Sequence, residues 1–153
     1  MVKQITISLV VLAALPSCSL KKNEMTNLEI IKSTYQGKTS EENGRNLASY
    51  VSESISWTEA EGFPYAGTYT GMEEIAKNVF SHLGSDWIAY KFTPEGYVTD
   101  GDKVVAYGTY SGIYKKTGKS IKARVAHLWK LKDRKIISFE QFVDSQIVNN
   151  ALN

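Results

Sequence analysis

The chain has 153 residues, a formal charge of +2 at neutral pH, and a composition that is 42% hydrophobic and 22% charged. That is enough apolar material for one core and fits a single domain. The basic residues are scattered rather than gathered on one face, which argues against nucleic acid as a partner.

The first segment reads as a targeting signal. Lys3 precedes an apolar run over 5–15, the length of a signal core and too short to span a bilayer. The run leads into Leu15-Pro16-Ser17-Cys18, which resembles a bacterial lipobox, with Cys18 as the residue lipidated after cleavage. The expected organisation is a signal peptide at 1–17, a polar tether at 18–25 and a domain at 26–153. Such a chain sits at the bacterial cell envelope and meets the membrane only through its lipid. The alternative is translation from Met25, where a capped helix begins; that chain is cytoplasmic. Cys18 is the only cysteine, so no internal disulfide supports the fold.

Thr26 and Glu29 have capping-box spacing, Leu28, Ile31 and Tyr35 recur on one helical face, and Gly37 is placed to end that helix. A second helix follows, with Leu47, Tyr50 and Val51 on one face and Gly44 weakening it. A short strand over 55–57 then gives way to a loop carrying Glu59 and Glu61. The clearest helix opens at Thr70 with Glu73 in a capping box. It carries an apolar stripe through Met72, Ile75, Ala76, Val79, Phe80 and Leu83, and is expected to end at Gly84. From residue 86 onward alternating patterns separated by Asp-Gly and Thr-Gly turns predict strands. Helices first and an antiparallel meander after is the α+β pattern.

The last hairpin holds the most suggestive chemistry. A two-residue turn at Asp133–Arg134 pairs His127 with Glu140, Val125 with Phe142 and Ala123 with Asp144, all on one face. A turn at Thr117–Gly118 sets Gly108 opposite His127 and Tyr110 opposite Val125. A glycine beside a titratable side chain leaves room for a ligand. Trp57, Tyr110, Trp129 and Phe142 are candidate walls of an apolar pocket, with core packing as the plainer reading for each. Trp87 and Tyr90 read as core or interface, and His82 as solvent-exposed.

The order of elements resembles a known family. A capped helix, a second helix, Ile55-Ser56-Trp57, then Gly-x-Pro-x-Ala-Gly-x-Tyr-x-Gly over 62–71, the strand Asp100–Gly112, the stretch Ala126–Ile136 and Phe139–Asp144 are similar to the SnoaL-like branch of the nuclear transport factor two superfamily. The resemblance covers essentially all of 25–153. It implies a cone: a strongly curved, mostly antiparallel sheet wrapped around N-terminal helices, with a pocket at its open end and homodimers formed through the outer sheet face. It also implies an acid–base aspartate at the end of the last strand, which Asp144 matches, and an oxyanion-stabilising group near the position of His127. The base that isomerases of the superfamily carry after the first strand falls near Thr58 and Glu59, out of register, and their first-helix tyrosine is only approximately matched by Tyr35.

The expected function is therefore binding of a small, largely apolar carbonyl compound. Asp144 would move a proton, and His127 backed by Glu140 would stabilise the oxyanion. The alternatives are a non-catalytic pocket for a hydrophobic ligand and a dimerisation module with a filled cone. No cofactor is expected: metal-ligand spacing, phosphate-binding glycine loops and a nucleophile elbow are all missing from the sequence.

Overall fold

A computed structural model describes residues 24–153. The expected signal peptide at 1–17 and the expected lipidation site, Cys18, lie outside the described residues. Helix α1 (Asn27–Ser33) opens on the expected capping box: Thr26 Oγ1 accepts the Glu29 N–H at 3.2 Å, and the Glu29 carboxylate accepts the Thr26 N–H at 2.7 Å. It ends at Ser33, not at Gly37. The hydroxyls of Ser33 and Thr34 donate to the carbonyls of Ile30 and Ile31, and the Asn46 side chain donates to the Ser33 carbonyl. With those carbonyls satisfied by side chains, the helix closes without a glycine cap. Tyr35 is thereby placed just beyond the helix.

Helix α2 (Ser40–Tyr50) runs directly into β1 (Val51–Glu59), which is longer than the sequence pattern suggested. Strand β2 (Gly67–Thr70) folds back on β1 and leads into α3 (Gly71–Ile75). A π-helical turn (Ala76–Phe80) and α4 (Ser81–Asp86) continue it as one helix through Gly84. The expected Thr70–Glu73 box does not form; Glu74 accepts the Thr70 N–H instead, at 2.8 Å. Strands β3 (Trp87–Asp100), β4 (Lys103–Tyr114), β5 (Ser120–Lys132) and β6 (Lys135–Val143) follow, and then a helix the sequence pattern did not reveal, α5 (Ser145–Leu152).

The six strands form one curled, unclosed sheet in the order β2-β1-β6-β5-β4-β3. Among the described strands only the β1–β6 contact is parallel. This is the α+β cone. One buried cluster, around Ile31, Leu47, Trp57, Trp129 and Phe139, packs under the N-terminal helices. A second, around Phe63, Trp87, Tyr110 and Val125, packs against α5 through Val148 and Ala151. His127 lies where the two meet, its ring 5.0 Å from Phe139 and 5.5 Å from Tyr110.

The expected two-residue turn at Asp133–Arg134 is present, both residues adopting positive φ (49° and 62°). The register beyond it differs from the expectation. Leu131 pairs with Ile136, but Lys130 pairs with Ser138, so Ile137 is an inserted bulge residue. The reason is the spacing of the apolar residues. In a regular strand Ile136 and Phe139 point to opposite faces, and Ser138 and Glu140 would enter the core. One extra residue lets Ile136 and Phe139 both be buried and turns Ser138 and Glu140 outward. On the other side of β5 the loop is longer than a two-residue turn, and His127 pairs with Ala106 instead of Gly108. That slip is two residues, so His127, Gly108 and Tyr110 keep one face, as expected.

Candidate functional site

The concave face of the sheet and the helices enclose a cavity of about 590 Å3. Its walls are aromatic. All three tryptophans, Trp57, Trp87 and Trp129, line it together with Tyr35, Tyr90, Phe92, Tyr110 and Phe139. Its rim is formed by Ser40, Asn43 and Gly44 of α2 and by Leu83 and Gly84 of α4, and a Cβ added at either glycine would meet open space. Among the described residues no lysine, arginine or aspartate lines it; the titratable groups in the walls are Glu59, His127 and tyrosines.

Of the expected catalytic trio, only His127 reaches this cavity. Glu140 is exposed on the outer face, where the bulge at Ile137 turns it, and Gln141 takes the place opposite His127. Asp144 is exposed and serves as the N-cap of α5, its Oδ1 accepting the Ile147 N–H at 3.2 Å. Among the expected pocket walls, Trp57, Tyr110 and Trp129 are in place. Phe142 is not: the same bulge sends it outward, and it is 51% exposed. Gly108 does not open space beside His127. The sheet folds so tightly there that a Cβ would overlap the Thr93 carbonyl oxygen of β3.

A connected set of hydrogen bonds runs through the cavity wall. Trp129 Nε1 donates to Tyr35 Oη at 2.8 Å. Tyr35 Oη lies 2.7 Å from His127 Nδ1, and Tyr110 Oη lies 2.6 Å from His127 Nε2. Gln141 Nε2 donates to Tyr110 Oη at 3.1 Å, while its Oε1 accepts the Ala60 N–H at 3.3 Å. Burial with no charged partner drives the His127 imidazole down to about 3, so it is neutral at physiological pH. Burial likewise lifts the Tyr35 and Tyr110 phenols above their ordinary value, keeping both protonated.

Glu59, expected in a loop, is instead the last residue of β1. The inward parity of Ile55 and Trp57 continues to Glu59, which is 4% exposed at the end of β1. Trp57 Nε1 donates to its Oε1 at 2.7 Å, and its Oε2 is buried without a partner. Desolvation pushes this carboxyl up to about 7, against the opposing pull of the Trp57 bond. The Tyr90 hydroxyl, from a residue that also lines the cavity, is buried beside the Tyr110 phenol. The arrangement thus holds one carboxyl poised between charged and neutral forms at physiological pH, together with neutral phenol donors, in an aromatic enclosure. Such a set can exchange a proton with a bound molecule.

The fold and this enclosure define a SnoaL-like domain. Residues 38–139 match the family model described as "SnoaL-like domain", and the chain belongs to that family, within the NTF2-like superfamily. An NTF2-like protein from Burkholderia thailandensis E264 is 38% identical, with a TM-score of 0.80, over 85% of this chain and 99% of its own. An NTF2-like protein from Burkholderia pseudomallei K96243 is 17% identical with a TM-score of 0.75, over 84% and 99%. TerC, crystallised with polyporic acid, is 22% identical with a TM-score of 0.71, over 82% and 97%. The last two share the fold alone. No curated protein matches the chain.

Proposed function

We propose that the chain binds a small, neutral, largely apolar carbonyl compound in the aromatic cavity and moves a proton on it. Glu59 is the proton-transferring carboxylate, and a hydroxyl of Tyr35 or Tyr110 donates to the carbonyl oxygen as negative charge develops there. The observation that carries this reading is the buried, unpartnered Oε2 of Glu59, a residue that lines the cavity, in a carboxyl that titrates at about 7. Among the described residues the cavity lining has no lysine or arginine to receive a carboxylate or phosphate, and an ionised Glu59 repels either, so the compound is not an anion. That TerC was crystallised with polyporic acid supports a small organic ligand in this fold.

The test has two arms. Intrinsic fluorescence from the three cavity tryptophans is titrated with neutral aromatic ketones such as 1-tetralone, and deuterium wash-in at the α-carbon is followed by NMR. Binding with exchange that disappears in Glu59→Gln is expected. Binding without exchange in the wild type leaves the non-catalytic ligand-binding alternative. No binding of any ketone overturns the reading.

Two further expectations belong to the same proposal. Tyr107 (40% exposed) and Phe142 (51% exposed) flank Ala126 on the outer sheet face, which supports pairing of two copies there. Light scattering is expected to give a dimer, and Phe142→Glu a monomer. The apolar run over 5–15 followed by Cys18 supports lipid anchoring at the cell envelope. Mass spectrometry of the mature N-terminus decides it: a lipidated Cys18 supports the anchor, and a chain starting at Met25 ends it.

A further inference from the structure

Counting hydrogens around His127 shows one proton too many for the network. The Trp129 indole nitrogen is only a donor, so Tyr35 Oη accepts from it. The Ala60 N–H fixes the Gln141 amide with its oxygen toward Ala60, so Gln141 Nε2 donates to Tyr110 Oη. Neutral imidazole carries a single N–H and a single acceptor nitrogen. One tyrosine therefore donates to the ring, and the other accepts from it. The accepting tyrosine keeps an O–H that His127, Trp129 and Gln141 do not receive, and both tyrosines line the cavity.

We propose that His127 is a neutral tautomeric relay that couples Tyr35 and Tyr110 into one bifunctional acid–base pair. In the first state the Tyr35 hydroxyl donates to Nδ1, Nε2–H donates to Tyr110 Oη, and the Tyr110 proton points to the ligand. Transfer moves the Tyr110 proton onto a ligand oxygen, the Nε2 proton onto Tyr110 Oη, and the Tyr35 proton onto Nδ1. Tyr35 Oη then takes a proton from a second atom of the ligand. In the second state Nδ1–H donates to Tyr35 Oη and the Tyr110 hydroxyl donates to Nε2. One proton has left the ligand and one has arrived, every bond broken is matched by one formed, and the protein carries no net charge before or after.

The geometry sets the substrate class. The two phenols sit on opposite nitrogens of one ring, 2.7 and 2.6 Å away, so their reach on a ligand is several bonds apart. Adjacent atoms do not satisfy both. The ligand is a conjugated carbonyl compound whose two tautomers differ by a proton moved across an extended π system, such as a hydroxy-enone. This rests on the reading that the cavity takes a ligand, but its first test does not need one.

The test is the nitrogen spectrum of His127. The chain has only two histidines, and His82 lies on the surface of α4, so a His82→Ala sample leaves one imidazole to assign. Long-range 15N–1H correlation at pH 7 is expected to show both ring nitrogens between the pyrrole-like and pyridine-like limits, the mark of two exchanging neutral tautomers. Tyr110→Phe, which leaves Tyr35 alone to accept, is expected to move Nδ1 toward the protonated limit. Tyr35→Phe is expected to move Nε2 the same way. Saturation with 1-tetralone, an acceptor with no donor, is expected to shift the wild-type pair toward one tautomer. A wild-type spectrum at a single tautomer limit overturns the relay even if neither variant folds, and so does an imidazolium at pH 7. Exchanging tautomers in a protein that binds no ketone keep the relay and sink the ligand reading instead.

Discussion

The indole N–H of Trp57 holds one carboxylate oxygen of Glu59 at 2.7 Å and leaves the other buried without a partner, in a residue that lines the cavity. The half-satisfied carboxyl has a thermodynamic consequence. Its value near 7 in the folded chain against 4.5 ordinarily means the native state holds a proton that the unfolded state has lost. Stability from this group is therefore fully present below about pH 4.5 and falls as pH rises toward and through 7, by about 3 kcal/mol. Glu59→Gln removes the titration. Urea denaturation is expected to show the variant gaining on the wild type progressively between those pH values, with no relative change below them. A constant difference across the range would show that Glu59 does not bury its charge.

His127 works in the opposite sense. Its folded value near 3 lies below the ordinary 6.5, so the unfolded chain binds the proton more tightly. Stability from this group is present above pH 6.5 and lost as pH falls toward 3. Between about pH 4.5 and 6.5 the two groups change with opposite slopes and offset each other. Below that window only His127 acts, and above it only Glu59. Their joint contribution is a plateau with a fall on each side. In His127→Gln the acid-side fall from this residue is expected to vanish, so that stability climbs from pH 6.5 down to 4.5 through Glu59 alone. The comparison is of slopes, because losing two buried hydrogen bonds lowers the variant at every pH.

How much of this was legible in the sequence depends on local pattern against register. The capped start of α1, the Asp133–Arg134 turn, the helices-then-sheet order and the family likeness are carried by neighbouring residues, and the structure reproduces them. Trp57, Tyr110, Trp129 and His127 were identifiable because alternation alone puts them inside. Glu59 was equally available by alternation from Ile55 and Trp57, and a strand assignment stopped two residues short concealed it. Glu140, Phe142 and Asp144 were misplaced for a different reason. The bulge at Ile137 answers a demand of the core, burial of both Ile136 and Phe139, that shows only when the facing strand is in place. Tyr35 meets His127 across 92 positions of chain, and no short-range pattern encodes that contact.

Glycines that look alike in sequence separate by their surroundings. At Gly108 a methyl group would overlap the Thr93 carbonyl oxygen and press on Phe92 and the Pro94 backbone, so Gly108→Ala is expected to destabilise the chain by about 1–3 kcal/mol. At Gly44, inside α2, a methyl group meets nothing, and Gly44→Ala is expected to stabilise by up to about 1 kcal/mol through helix propensity. Thermal denaturation of the two variants should move in opposite directions. A neutral Gly108→Ala would mean that β3 does not fold across β4 as closely as described.

Asp144 offers the sharpest separation between the role its position in the family suggests and the role its contacts show. Its Oδ1 accepts the Ile147 N–H, its own N–H donates to the Arg124 carbonyl at 3.0 Å, and it does not line the cavity. As the N-cap of α5 it is worth about 1 kcal/mol. Asp144→Ala is therefore expected to lower stability by roughly that amount, while Asp144→Ser, which keeps a capping oxygen, restores most of it. Ketone binding and α-proton exchange should be unchanged in both, whereas Glu59→Gln abolishes exchange. Loss of exchange in a folded Asp144→Ser protein would return the proton-transfer role to the last strand and remove it from Glu59.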